Sequence, residues 1–337
     1  MVGKNTYTLP VTDGRLFSRL DNKKRVVPQA ASFQHSAFQS AKKPQISYPN
    51  RIDGYQIISN LGSGAFAKVY LAKNHNHKLD TRMKEMVALK VVNLTKITEA
   101  SQLKSTKKEY QITSKVKHPN IVEIYNSFEQ PLNGSLSLIL VVEYMSQGTL
   151  EQYLHHNLLV EYKLLPEYRI WHIFQQVACG IAFMHSCRCL HRDLKPANIL
   201  MADNFLVKIS DFGLSRMNSI NTEEVKTVCG TPYYLSPERT LQSGYTYASD
   251  VWSLGCLLYE LTAGVNPFFG ERDNRYSLSN KITEADFPPV PEDHYSYFLL
   301  NLIDKILVTE QTERPPASFI SEYSEHMVEF FRRYVNF

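Results

Sequence analysis

Apolar and polar positions along this chain follow two periods. Between Gly54 and Glu143 the period is close to two. Tyr55-Gln-Ile-Ile-Ser alternates like a strand, Met86 to Val92 is a β-rich apolar run, and Val122–Phe128 and Leu136–Glu143 predict two further strands. Residues 97–115 are polar with scattered apolar positions, the pattern of a helix lying on a surface. After Gly148 the period becomes three to four. Tyr168 to His185 and Val251 to Leu261 predict buried helices, and the aromatic stretch Phe319 to Tyr334 predicts a last helix packed on the domain. A β-rich first part and a helix-rich second part, joined near Met145–Gln147, predict an α+β molecule of two lobes with a cleft between them. The N-lobe is expected over 51–145, the C-lobe over 146–325, and the end of the last helix over 326–337. Residues 1–50 are rich in Ser, Gln, Lys and Ala, show no sustained period, and read as a flexible basic tail.

Charge sharpens that division. The net charge of +4 is the sum of +6 in the first fifty residues and −2 in the rest, which excludes a globally basic nucleic-acid binder. No direct nucleic-acid binding is expected. Charged residues at 21% and hydrophobic residues at 43% are ordinary for a globular protein. No apolar run approaches the roughly 18 residues that span a bilayer, and the N-terminus lacks a signal-peptide pattern, so no membrane association is expected. The five cysteines, at 179, 187, 189, 229 and 256, show no zinc spacing and are expected as reduced thiols.

The chemistry is concentrated in one short string. His191-Arg-Asp193 is followed by Leu-Lys195-Pro-Ala-Asn198. The spacing puts a carboxylate, an ammonium and a carboxamide on one loop. Asp193 can accept a proton from a hydroxyl, Lys195 can neutralise a phosphate, and the amide oxygen of Asn198 can hold a divalent metal; together these move a phosphoryl group onto an alcohol. Near the start, Gly62-Ser63-Gly64-Ala65-Phe66-Ala67 lies between two predicted strands, with no helix following as a dinucleotide crossover would require. Glycines there let backbone amides approach phosphate oxygens closely. Lys90 sits inside an apolar strand and needs a partner; Glu109, on the 97–115 stretch, is the natural candidate.

The string HRDLKPAN, with Asp211-Phe-Gly following thirteen residues after Asn198, resembles the catalytic core of eukaryotic protein kinases. The resemblance covers about residues 51–320. It implies a bilobal kinase fold that uses ATP and Mg2+. It assigns Leu61, Gly62, Ser63, Gly64, Ala65, Phe66, Ala67, Lys68 and Val69 to the nucleotide, and Lys90 to its α- and β-phosphates with Glu109 steadying it. Glu143 and Met145 would present backbone groups to adenine, with Val142 guarding the rear of the pocket. Asp193 would be the catalytic base, Lys195 would steady the γ-phosphate, and Asn198 and Asp211 would hold the metal. Lys195, two residues after the catalytic aspartate, is the serine/threonine version of the motif. Thr227, three residues before Gly230, stands where the family places an activating phosphate, which Arg192 would receive. Glu238 is expected to pair with Arg314.

Gly230-Thr-Pro-Tyr-Tyr-Leu-Ser-Pro-Glu238, Asp250-Val-Trp-Ser-Leu-Gly and Arg275 to Ser296 are similar to the NIMA-related serine/threonine kinases, the short mitotic members especially. The implied partners are protein substrates and an upstream activating kinase. The implied location is the cytoplasm, with the cytoskeleton, the centrosome and the nucleus as further sites. Two positions depart from the pattern. Ile124-Tyr125 replaces a pair of tyrosines, the first of which can block the active site, and Thr113 replaces a spine leucine. The Ile124 change implies loss of the tyrosine lock. Thr113 favours the competing reading, a kinase-shaped scaffold with little catalysis; the intact Lys90, Asp193, Asn198 and Asp211 favour an active enzyme.

Overall fold

The computed structural model describes residues 50–64, 67–75, 83–96, 116–157, 163–211, 232–270, 274–291 and 293–334. Six antiparallel strands build the first lobe: β1 (Arg51–Ile52), β2 (Tyr55–Ser63), β3 (Ala67–Asn74), β4 (Met86–Asn93), β5 (Ile124–Leu132) and β6 (Ser135–Glu143), in the order β1-β2-β3-β4-β6-β5. β-Branched and aliphatic residues fill the two inner strands, β4 and β6, which are buried on both faces. Antiparallel partners share a face, so the register sorts the side chains. Tyr70, Leu89 and Val141 align, and with Ile52, Tyr55, Ala72, Val87 and Ile139 they form one apolar layer. Val69, Lys90 and Leu140 align on the opposite face, beside the Leu71–Ala88–Val142 and Ala67–Val92–Leu138 rows. That second face looks onto the cleft.

The hairpin joining β5 and β6 closes through Asn133-Gly134, with φ of 51° and 76°, the two left-handed positions of a tight turn whose twist matches its strands. Pro131 is tolerated because β5 is an edge strand. The strand expected from Val122 starts instead at Ile124. The reason is a competing partner: the Val122 N–H donates to Ile209 O at 2.9 Å, and Ile209 N–H to Asn120 O at 2.8 Å. Residues 120–122 are thereby paired to the second lobe.

That lobe is helical. It contains α1 (Leu150–His155), α2 (Glu167–Ser186), the hairpin β7 (Ile199–Met201) and β8 (Val207–Ile209), then α3 (Pro237–Thr240), α4 (Tyr247–Ala263), α5 (Arg275–Glu284), α6 (Tyr297–Ile306) and α7 (Ala317–Tyr334). A threonine–glutamine capping box at Thr149 and Gln152 starts α1. Helix α4 is buried nearly all round and ends at Gly264, whose φ of 76° releases the chain from the helix. Helix α7 lies along α2, with Trp171 and Tyr323 rings 6.0 Å apart. It runs unbroken past 325, and Met327, Val328, Phe330 and Phe331 join the same core. Gly180 on α2 lets the β8 region approach: a Cβ there would lie 2.7 Å from Ile209 Cδ1 and 3.2 Å from Asn120 O. This contact seats the 120–122 segment and β8 on the helical core directly below the cleft.

The four described cysteines, Cys179, Cys187, Cys189 and Cys256, are thiols. Among the described residues no helix is long and apolar enough to cross a membrane.

Candidate active site

The loop from His191 to Asn198 is held from beneath by a single buried carboxylate. Asp250, at the start of α4 and fully buried, accepts the His191 N–H and the Arg192 N–H at 2.9 Å each. His185 Nε2 lies 2.9 Å from the same group, and the Tyr245 hydroxyl donates to it at 2.5 Å. Burial alone would raise this carboxyl; the hydrogen bonds from His185 and Tyr245 hold it below the usual carboxylate range. Arg192 takes a left-handed backbone with φ of 70°. Such a conformation persists only where surroundings fix it, and the Asp250 contact does so.

The fully buried His191 ring joins this loop to the strand end that carries Asp211. Its Nε2–H donates to Ser210 O at 3.1 Å, leaving Nδ1 to accept the Asp193 N–H at 3.3 Å. Ser210 N–H and Oγ–H donate to Asn198 O at 2.8 and 2.9 Å. Three residue types thus lock two loops into one unit.

On top of that unit the expected groups converge. Lys195 Nζ lies 3.0 Å from the Asp193 carboxylate, and Asn198 Nδ2 donates to Asp193 Oδ2 at 2.9 Å and to Asp193 O at 2.7 Å. Across the cleft Lys90, on β4, forms an ion pair with Asp211. Asp211 has φ of 63°, another left-handed non-glycine position. The Lys90 ammonium is largely buried, so this pairing removes the desolvation cost of an isolated charge. Glu109, its expected partner, lies outside the described residues, as do Ala65, Phe66, Thr113 and Thr227.

Leu61, Gly62, Ser63 and Gly64 form the β2 end of the glycine-rich turn, and Ala67, Lys68 and Val69 its β3 return. Gly64 N–H donates to Ala67 O at 2.8 Å, closing the turn. Val69 shares the cleft face with Lys90. Glu143 belongs to the other face, paired with Val87, so its side chain points away from the cleft. There it meets Lys208 of β8 at 2.7 Å and Lys84 at 3.4 Å, an ion cluster joining the two lobes behind the hinge. Its N–H donates to Glu123 O at 2.9 Å, and Met145 two residues on is buried.

Tyr125 sits at a bulge in β5 and packs against the layer of Val87, Leu89 and Val141, away from the cleft. Burial, followed by the nearby Glu143 and Glu123, pushes its hydroxyl up to about 12.

Sequence reasoning missed two groups here. Asp250 carries the catalytic loop through backbone amides, which leave no trace in sequence. Lys208, in Val-Lys-Ile, carried the same signal as Lys90, a lysine inside an apolar strand.

The donor set suits a hard cation. Asn198 and Asp211 offer oxygen ligands, and magnesium is characteristically held through one or two side-chain oxygens plus phosphates and water.

A bilobal frame with these groups around one cleft defines a protein kinase. The protein kinase domain family matches residues 55–326, and the chain belongs to it. Within that family it is similar to NIMA-related serine/threonine kinases. It is 36% identical over 270 residues to the serine/threonine-protein kinase Nek5 of Homo sapiens, covering 80% of this chain and 36% of Nek5. It is 33% identical over 271 residues to Nek1 of Mus musculus, covering 80% of this chain and 21% of Nek1. It is also 32% identical over 271 residues to the serine/threonine-protein kinase PLK4 of Drosophila virilis, covering 80% and 32%. The chain spans about a third or less of the length of these relatives.

Proposed function

We propose that this chain transfers the γ-phosphoryl group of ATP to serine and threonine hydroxyls of protein substrates. The observation that carries this reading is the convergence of Asp193, Lys195 and Asn198 within 3.0 Å, facing a Lys90–Asp211 pair across the cleft. Asp193 accepts the hydrogen bond of the incoming hydroxyl and takes its proton as the new P–O bond forms and the bond from the γ-phosphorus to the β–γ bridging oxygen breaks, with ADP as the leaving group. Lys195 moves from Asp193 to the γ-phosphate side. Lys90 holds the α- and β-phosphates beneath the Gly62–Val69 turn, and the backbone of Glu143 and Met145 receives the adenine. Asn198 and Asp211 would hold Mg2+, which would neutralise phosphate charge when bound. Thr227 is the activating phosphorylation site, filled by an upstream kinase or by the protein itself, and Arg192 receives that phosphate. The resemblance of the 230–296 motifs to short mitotic kinases supports a role in mitotic, microtubule or centrosome control, in the cytoplasm or at those structures. The kinase domain runs from 51 to 325 with the end of α7 packed into its core, and residues 1–50 are dispensable for catalysis.

The test is magnesium-dependent incorporation of phosphate into casein by the wild-type protein and by Asp193→Asn. The substitution is almost isosteric but removes the base, so transfer should fall at least ~10²-fold while ATP binding is kept. Transfer above a tenth of wild type in Asp193→Asn overturns the assigned role.

A further inference from the structure

The glycine-rich turn is shaped by a side chain outside it. The β2–β3 ladder pairs Asn60 with Tyr70 and Gly62 with Val69, so Leu61 is one residue more than its partner strand provides. Such a bulge drops an amide out of the ladder and re-aims the strand beyond it. Here the bulge is spanned by a side chain: Asn60 Oδ1 accepts the Gly62 N–H at 2.9 Å. The other end of the same carboxamide donates, Nδ2 to Ser63 Oγ at 3.2 Å. An asparagine that bonds the backbone two residues on closes a turn of its own. Both halves of one rigid amide therefore hold two successive residues of the turn, and the Gly64–Ala67 bond fixes the next step.

We infer that Asn60 is a positioning residue for nucleotide phosphates. It does not touch the nucleotide; it holds Gly62 and Ser63 in the bulged conformation, so that the turn need not be ordered when the phosphates arrive. Gly62, Ser63 and Gly64 are exposed, and no side chain would meet a Cβ at Gly62. Side-chain packing therefore does not hold Gly62, and the Asn60 amide adds its restraint to the Gly62–Val69 and Ser63–Lys68 pairs of the ladder. The adenosine part of the ligand depends less on it. Val69 is held by β4, and the backbone of Glu143 and Met145 lies outside the turn. This inference rests on the kinase reading of the cleft.

The experiment measures Kd for Mg2+–ATP and for adenosine by calorimetry, with KM and kcat, for the wild type, Asn60→Ala and Asn60→Ser. Losing the two hydrogen bonds should weaken ATP binding and raise KM about three- to tenfold, with adenosine affinity and kcat within twofold of wild type. Serine can make the same backbone bond less well, so Asn60→Ser should fall between. Equal weakening of ATP and adenosine shows a merely structural role and overturns the inference, as does unchanged ATP affinity in Asn60→Ala. A wild-type protein that binds neither ligand overturns the kinase reading and this inference with it.

Discussion

Ser236 is 1% exposed, and its hydroxyl meets no hydrogen-bond partner among the described residues. It occupies the cap position of α3, where a serine side chain usually bonds a helix amide, but here it makes no such bond. Replacing a working serine cap by alanine costs about 0.5–2 kcal/mol. Leaving a buried hydroxyl unpaired costs about 1–3 kcal/mol. Only the second applies, so Ser236→Ala should raise stability by about 1 kcal/mol. The measurement is the urea midpoint at unchanged slope; a lowered midpoint would show that the hydroxyl does cap the helix in solution. The same scale explains which site residues were legible. Lys90, Asp193, Lys195, Asn198 and Asp211 could be read because phosphoryl transfer asks for those chemical types in that order. Asp250 could not, because an aspartate in the first turn of a helix ordinarily reads as a favourable charge near its N-terminus. Its partners are main-chain amides, which any sequence supplies.

At the scale of elements, one guanidinium ties two helices and a loop together. Arg314 forms a two-pronged pair with Glu238 of α3, Nη1 to Oε1 and Nη2 to Oε2 at 3.0 Å each. It also donates at 2.9 Å to the carbonyls of Val308, Ala248 and Thr309, and lies 5.0 Å over the Trp252 ring of α4. Burial would raise the Glu238 carboxyl, but the bonds from Arg314 and Ser249 hold it below the usual range. Removing one member of a buried pair strands the other charge, so Arg314→Ala should cost about 3–5 kcal/mol. Arg314→Lys should recover little, since an ammonium cannot reproduce the planar fork. Urea unfolding of both variants decides it; a lysine variant as stable as wild type would reduce the contact to simple charge. Element positions were mostly visible in periodicity, whereas their ends were not. The start of β5 was misplaced because Val122 is apolar in either setting. What moved it was a backbone bond to Ile209, a partner eighty-seven residues away in sequence.

For the molecule as a whole, the most informative titrating group lies in α4. Burial pushes the Glu260 carboxyl from an ordinary 4.5 to about 7, and the nearby Glu151 adds to the rise, while the hydrogen bond from the Tyr234 hydroxyl opposes it. The folded protein therefore keeps a proton that the unfolded chain releases between those two values. Stability contributed by this group falls as pH rises through that window. At ~1.4 kcal/mol per unit the full effect is bounded near 3 kcal/mol. Two histidines act in the opposite sense. Burial lowers His118 and His172, so the unfolded chain holds more protons there and their effect favours folding as pH rises. The wild-type profile mixes these slopes and does not isolate Glu260. Glu260→Gln does, because the amide oxygen can still accept from Tyr234 but cannot ionise. The stability of Glu260→Gln minus that of wild type should grow steadily from pH 5 to pH 7.5, by up to ~3 kcal/mol. Urea unfolding at half-unit steps measures it. A difference independent of pH would show that the carboxyl ionises outside this window and that the buried Tyr234–Glu260 contact is a charged one at neutrality.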